Sequence, residues 1–332
     1  MKRKYILGFL AILSFVHSNG NEILKQLNVK FPNNKIDSSR LTERLTIQNN
    51  YLTVEISKLG AELTSIRSAT MEYLWQADPN VWPKHSPLLF PIVGALNDKM
   101  YTYERSTYSM QRHGFASDVT FEVVERSTDY ITLEYTATAE TKTNYPFDFK
   151  LQVLYRLHKN KVLVRYTVKN TMDTEPLPFS IGAHPAFKVP FKPGQERNDY
   201  ALVFHRDLSP KTKLKKNGRY VNEYRTIFKR PGILSLSDSL FNDGALAFEH
   251  NPFTKVSFVH IPTNKIYLSI KFRKFPYLGI WSVNDTANFV CIEPWHGIGD
   301  NAGHNGDLKQ KEGIITLEPG KTFRCQFTVE TY

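Results

Sequence analysis

Three short segments each combine a group that can move a proton with residues that interrupt a strand. They are Arg112-His113-Gly114-Phe115, Gly182-Ala183-His184-Pro185-Ala186-Phe187 and Cys291-Ile292-Glu293-Pro294-Trp295-His296-Gly297. An imidazole changes protonation near neutral pH, and a carboxylate in an aromatic-lined cleft can have its pKa raised toward the working range of a general acid or base. Pro185 and Pro294 directly follow His184 and Glu293. Each proline drives the residue before it into extended backbone and removes an amide donor, so the ladder is expected to end there, leaving both side chains at a sheet rim.

Taken singly, each residue has a plainer explanation. A histidine at a sheet corner is commonly a hydrogen-bonded structural group, and a glutamate before proline can cap a turn or pair with an arginine. The coincidence of the three favours proton-transfer chemistry. The tail from Trp295 through Asp300, His304 and Asp307 has the residue types of a metal site, but Gly297, Gly299, Gly303 and Gly306 break any helix that would align them. It reads as a flexible loop beside the site, and no metal is expected. Cys291 and Cys325 lie in apolar, strand-like segments where a buried thiol packs as a small hydrophobe, and a bridge between them is left open. The four tryptophans, Trp75, Trp82, Trp281 and Trp295, each read first as core or rim packing.

The elements that must position these residues are strands. Alternating patterns run through Leu52–Ile56 and Ile131–Tyr135, and a hairpin is expected from Phe149–Leu157 and Val162–Val168 around the turn His158–Lys161. Further strands are expected at Lys265–Phe272, Tyr277–Val283, Phe289–Ile292, Ile314–Leu317 and Phe323–Val329. No stretch of ten residues carries a helical apolar stripe. The expectation is an all-β chain, a large single-domain antiparallel β-sandwich over residues 45–332.

The start of the chain differs from the rest. Met1-Lys2-Arg3-Lys4, the apolar run Tyr5–Val16 and the polar His17–Gly20 have the three parts of a secretory signal peptide. The apolar run is well short of the ~20 residues a membrane span needs. Residues 1–20 are therefore expected to be an export leader, and the polar residues 21–44 a linker. Losing Lys2, Arg3 and Lys4 lowers the net charge from +11 to +8, spread without a long basic block. The clusters Lys211–Lys216 and Lys271–Lys274 read as solvated faces, and neither nucleic acid nor stable membrane insertion after leader removal is expected.

Taken in order, the three reactive segments resemble the galactose mutarotase-like superfamily, specifically its aldose 1-epimerase branch. The likeness runs from about Leu45 to the C-terminus and includes Gly60-Ala61-Glu62-Leu63, Leu89-Phe90-Pro91-Ile92-Val93-Gly94, Pro178-Phe179-Ser180-Ile181-Gly182 and Phe275-Pro276-Tyr277-Leu278-Gly279-Ile280-Trp281. The resemblance implies a supersandwich fold and an isomerase that interconverts the α and β anomers of an aldose without a cofactor. By position it implies His184 as acid, Glu293 as base, His113 as substrate orienter, and Asp243 as a carboxylate gripping sugar hydroxyls. Arg112, beside His113, is a further substrate-binding candidate, because it would suit a phosphate.

The chain departs from the family at two places. Many mutarotases carry an arginine shortly after the glycine that opens the substrate-binding stretch, where here Gly94 is followed by Ala95-Leu96-Asn97-Asp98. The histidine segment reads His184-Pro185-Ala186-Phe187-Lys188, without the family's downstream tyrosine and asparagine. The expected substrate is a free hexose, since an exported enzyme seldom meets phosphorylated sugars. A hexose-6-phosphate 1-epimerase and a non-catalytic carbohydrate-binding protein are the alternatives. A glycosidase is disfavoured, because that chemistry normally uses two carboxylates and only one stands at a rim.

Overall fold

The computed structural model describes residues 43–236 and 240–332, so the expected leader and all but the end of the expected linker lie outside the described residues. Two large antiparallel sheets dominate. The first has nine strands in the spatial order Ile233–Ser235, Tyr200–Val203, Lys255–His260, Lys265–Phe272, Thr322–Thr331, Lys161–Asn170, Phe149–His158, Tyr130–Thr136 and Glu122–Arg126. Its centre is the expected hairpin, in which Lys161 pairs with His158 and Asn170 with Phe149. Every second residue of Phe149–His158 is buried, which is the signature of a strand with one face on a core and one on water.

The second sheet carries the site. Its order is Arg219–Arg225, Thr212–Lys216, Leu246–Glu249, Tyr277–Trp281, Phe289–His296, Ile181–Ala183 and Leu88–Leu89, with Ala186–Lys188 also paired to Phe289–His296. The two sheets share one apolar core, as in the contact of Phe187 with Phe258 at 5.8 Å and of Phe204 with Phe248 at 6.1 Å between ring centroids. The one α-helix among the described residues is the single turn-and-a-half Ala139–Asn144, capped by Thr138. No helix of the described residues is long and apolar enough to cross a membrane.

The strand Phe289–His296 is buried on both faces, and its two faces differ. Val290 and Ile292 belong to the shared core, whereas Phe289, Cys291, Glu293 and Trp295 point to the opposite side. Because side chains alternate along a strand, one apolar stripe anchors the sheet while the other presents Glu293 and Trp295 to a cavity. The same alternation in Tyr277–Trp281 buries Leu278 and Ile280 in the core and turns Trp281 to the cavity.

One expectation about this strand is corrected. Pro294 does not end the ladder, since pairing with Tyr277–Trp281 continues through Leu278–Pro294 to Tyr277–Trp295. On its other side the strand changes partners at this point, from Ala186–Lys188 at Phe289–Cys291 to Ile181–Ala183 at Trp295–His296. The missing amide of Pro294 falls in that gap, where no strand partner is left unsatisfied.

Candidate active site

Strand register brings the expected acid and base together. Ile181 pairs with His296, Gly182 with Trp295 and Ala186 with Cys291, so continuing the same register sets His184 opposite Glu293. Pro185 does interrupt the ladder there, and His184 turns into the gap. His184 Nε2 lies 3.2 Å from a Glu293 carboxylate oxygen. The contact is close but lacks hydrogen-bond alignment: both Glu293 oxygens and His184 Nδ1 are buried without a hydrogen-bond partner in the protein. Three buried polar atoms left unmatched in one place are costly unless a ligand meets them.

The surroundings of the pair are aromatic. Trp82 stacks on the His184 ring at 5.2 Å and 27°, Trp281 meets it edge-on at 5.4 Å, and His113 at 5.7 Å and 88°. The Trp75 indole N–H donates to the Trp82 carbonyl, so Trp75 holds the segment that carries Trp82. Gly279 stands across the ladder from Glu293, and a Cβ there would run into the Trp295 indole. This glycine makes room for Trp295 beside Glu293.

His113 is fixed by a different device. Its backbone has φ +69°, and its loop hangs from the end of Leu88–Leu89 through Phe90 N–H to His113 O (3.1 Å) and Phe115 N–H to Phe90 O (3.0 Å). The Gly94 N–H donates to His113 Nδ1 at 3.1 Å. An Nδ1 that accepts leaves Nε2 as the proton-bearing nitrogen of the neutral ring. Burial, with the neighbouring His184 and the Arg112 charge, holds the His113 pKa well below its usual value. His113 is thus a neutral imidazole with a donor to offer.

His113, His184, Glu293, Trp82, Trp281 and Trp295 line one cavity of about 500 Å³, together with Arg112, Lys84, Lys215, Tyr220 and Asp300. Burial pushes the His184 pKa down to about 3. Burial pushes Glu293 well above the carboxylate range, opposed by the positive charge of Lys215. Lys215, itself depressed to about 8 by burial and by Arg112, was hidden in a cluster read as solvated. That reading is corrected for Lys213 too, which is buried between Glu249 and Glu312. The spacing of Lys213 and Lys215 was the available signal, since residues two apart on a strand tend to share a face.

Asp243 is placed elsewhere. Its carboxylate is largely exposed and bound to Arg225 Nη1 at 2.6 Å, and it is not among the residues lining the cavity. Its neighbours Gly244 and Ala245 reach the cavity, so the position in sequence was near and the side chain is diverted by its arginine. The tail beyond Trp295 is also not a loose loop: Asp300 is buried against Lys311 at 2.8 Å and accepts Asn97 N–H at 3.0 Å. Cys291 and Cys325 are free and buried. Among the described residues, the group dense enough to hold a metal is His184, Cys291 and Glu293, whose ligand atoms lie within 4.8 Å of one another. Burial drives the Cys291 thiol well above its usual pKa, which disfavours the thiolate a metal would need.

Comparison with known proteins agrees with this geometry. Residues 43–323 match the family described as aldose 1-epimerase. The chain is 32% identical over 295 residues to protein LacX, plasmid, of Lactococcus lactis subsp. lactis, covering 86% of this chain and 98% of that protein. Among solved structures it resembles a galactose mutarotase related enzyme from Lactobacillus acidophilus, with TM-score 0.82 and 36% identity over 87% of this chain and 97% of the other. It also resembles a galactose mutarotase-like protein from Lactobacillus casei, with TM-score 0.81 and 31% identity over 87% and 100%.

Proposed function

The chain belongs to the aldose 1-epimerase family of isomerases, and from that premise we propose that it interconverts the anomers of an aldose with His184 and Glu293 as the proton-transfer pair. The observation that carries this reading is the buried 3.2 Å approach of the two side chains with their polar atoms unmatched, at the floor of a cavity sized for a sugar. Ring opening needs a proton delivered to the ring oxygen and another removed from the anomeric hydroxyl. The bond between C1 and the ring oxygen then breaks, C1 becomes a carbonyl, and rotation about C1–C2 precedes reclosure on the other face.

Burial favours the neutral form of both residues, which places one mobile proton on the pair. Lys215 pulls in the other sense by stabilising the Glu293 carboxylate, which moves that proton toward His184 and supports His184 as acid and Glu293 as base. His113 donates from Nε2 to a sugar oxygen and fixes the ring relative to the pair. Trp82 and Trp281 wall the site.

Polarimetry of freshly dissolved α-anomers, with and without the protein, tests the reading. Acceleration well above the spontaneous rate is expected for at least one aldose, and no acceleration of any would overturn it. The leader-like start supports export as a second part of the proposal, checked by sequencing the N-terminus of the mature protein. A start near residues 18–22 is expected, and an intact Met1 on cytosolic protein would contradict it.

A further inference from the structure

The cavity contains more positive charge than its own chemistry uses. Lys84 is neutralised by Asp118 at 3.3 Å and also donates to Ser117, while Asp300 is neutralised by Lys311. His113 and His184 are held neutral by burial. What remains is Arg112 and Lys215 against the single carboxyl of Glu293, which burial pushes toward its protonated form. The cavity is therefore left with at least one uncompensated positive charge, whichever form Glu293 takes.

Neither cation has an ion-pair partner among the described residues, and Lys215 acts on Glu293 only through space. Among the described residues, the Arg112 side chain has no hydrogen bond and no ion pair, and the Lys215 ammonium has only the face of Tyr220, 4.6 Å from the ring centroid. The Arg112 charge also helps hold the Lys215 pKa down. Lys215 is half-buried on its sheet and Arg112 is exposed, so both cations line the cavity with their charge open to a ligand. Two like charges kept unpaired at the wall of a ligand cavity form a receptor for an anion.

We propose that the aldose this protein takes carries an anionic substituent, a phosphate or a carboxylate, held by Arg112 and Lys215 while the anomeric centre lies at His184 and Glu293. This rests on the mutarotase reading and specifies its substrate class. It departs from the neutral free hexose expected from the leader. A hexuronate reconciles an anionic sugar with an exported enzyme, and a sugar phosphate would set the two apart. Arg112 presents a planar fork suited to either anion, and Lys215 supplies a point charge. Tyr220, which lines the same cavity, gives the Lys215 ammonium an aromatic face to rest on.

The experiment compares anomerisation of α-glucose, α-glucose 6-phosphate and α-glucuronate by NMR at low ionic strength and neutral pH. At least one anionic sugar is expected to exceed glucose in kcat/KM by about tenfold to a hundredfold, the range of a charge-assisted contact. That advantage should shrink with added salt, and whichever anionic sugar shows it identifies phosphate or carboxylate. In Lys215→Met and Arg112→Met, the ratio of anionic to neutral kcat/KM should fall about tenfold or more. The ratio is internal to each variant, so loss of folded protein does not imitate the effect. Glucose turned over as well as or better than both anions would overturn the inference and leave the mutarotase reading standing. Background rates with all three would remove both.

Discussion

Gly94 and His113 hold each other by two hydrogen bonds, His113 N–H to Gly94 O at 2.8 Å and Gly94 N–H to His113 Nδ1 at 3.1 Å. The first pins a backbone at φ +69°, and the second selects the imidazole tautomer. Gly94 itself has φ +79°, and a Cβ on it would collide with the backbone of Gly299. Gly94→Ala should therefore lower stability by roughly 1–3 kcal/mol and weaken kcat/KM as His113 loses its anchor. Chemical denaturation and steady-state kinetics on the same preparation check both. His113→Asn should raise KM as well as lower kcat if, as proposed, it positions the substrate.

The buried pair of Asp300 and Lys311 fastens the cavity wall. Asp300 also accepts Asn97 N–H, and Lys311 donates to Ile298 O at 2.6 Å, so one ion pair ties together three segments. Asp300→Ala leaves the Lys311 charge uncompensated in the interior, a change that costs about 3–5 kcal/mol. The denaturation midpoint should fall accordingly. A drop under about 1 kcal/mol would show that the pair contributes little to holding the wall.

Lys215 gives the alkaline limb of the activity a definite sign. Its charged form is the one that binds an anion, and burial and the Arg112 charge, against the Glu293 carboxyl, hold its pKa at about 8. With an anionic aldose already fully ionised, kcat/KM should decline as pH rises through about 8. A bound anion favours the ammonium, so the limb in kcat should lie at higher pH than that in kcat/KM. Coincident limbs, or a profile unchanged in Lys215→Met, would contradict the assignment.

Glu62 should make stability fall in acid. Burial raises its pKa, but the His85 side chain and the backbone N–H groups of Ser86 and His85 outweigh burial, leaving it below the usual carboxylate value. A depressed folded-state pKa gives stability that is present above about 4.5 and lost as pH falls through the folded value. Glu62 thereby anchors the segment just after Trp82 and Lys84. Glu62→Gln should lower the Tm at pH 7, and the gap to the parent should narrow as pH falls below the usual carboxylate value.

The three candidate segments were legible in the sequence because prolines and glycines mark where a sheet must open, and Pro185 opens it at His184 as read. Pro294 was misread, since a missing amide ends a ladder only where a partner needs that amide, and the partner exchange beside Glu293 is set by residues far away in sequence. Asp243 was misplaced for a related reason: its neighbours reach the cavity, and a tertiary ion pair with Arg225 takes the side chain away. Lys215 was passed over because a run of lysines looks solvated until the strand's alternation is imposed on it. Strand order, which sets His184 opposite Glu293, depends on long-range pairing that periodicity does not encode.

The central claim is that Glu293 exchanges a proton with the sugar, and Glu293→Gln tests it with little change of shape. The measurement is the anomerisation rate of the best aldose substrate by the folded variant, judged by circular dichroism against the parent. Loss of a positioned general base removes about 10²–10⁴-fold, so the account predicts rates near the spontaneous background. A folded Glu293→Gln protein that still accelerates anomerisation at close to the parent rate would contradict it.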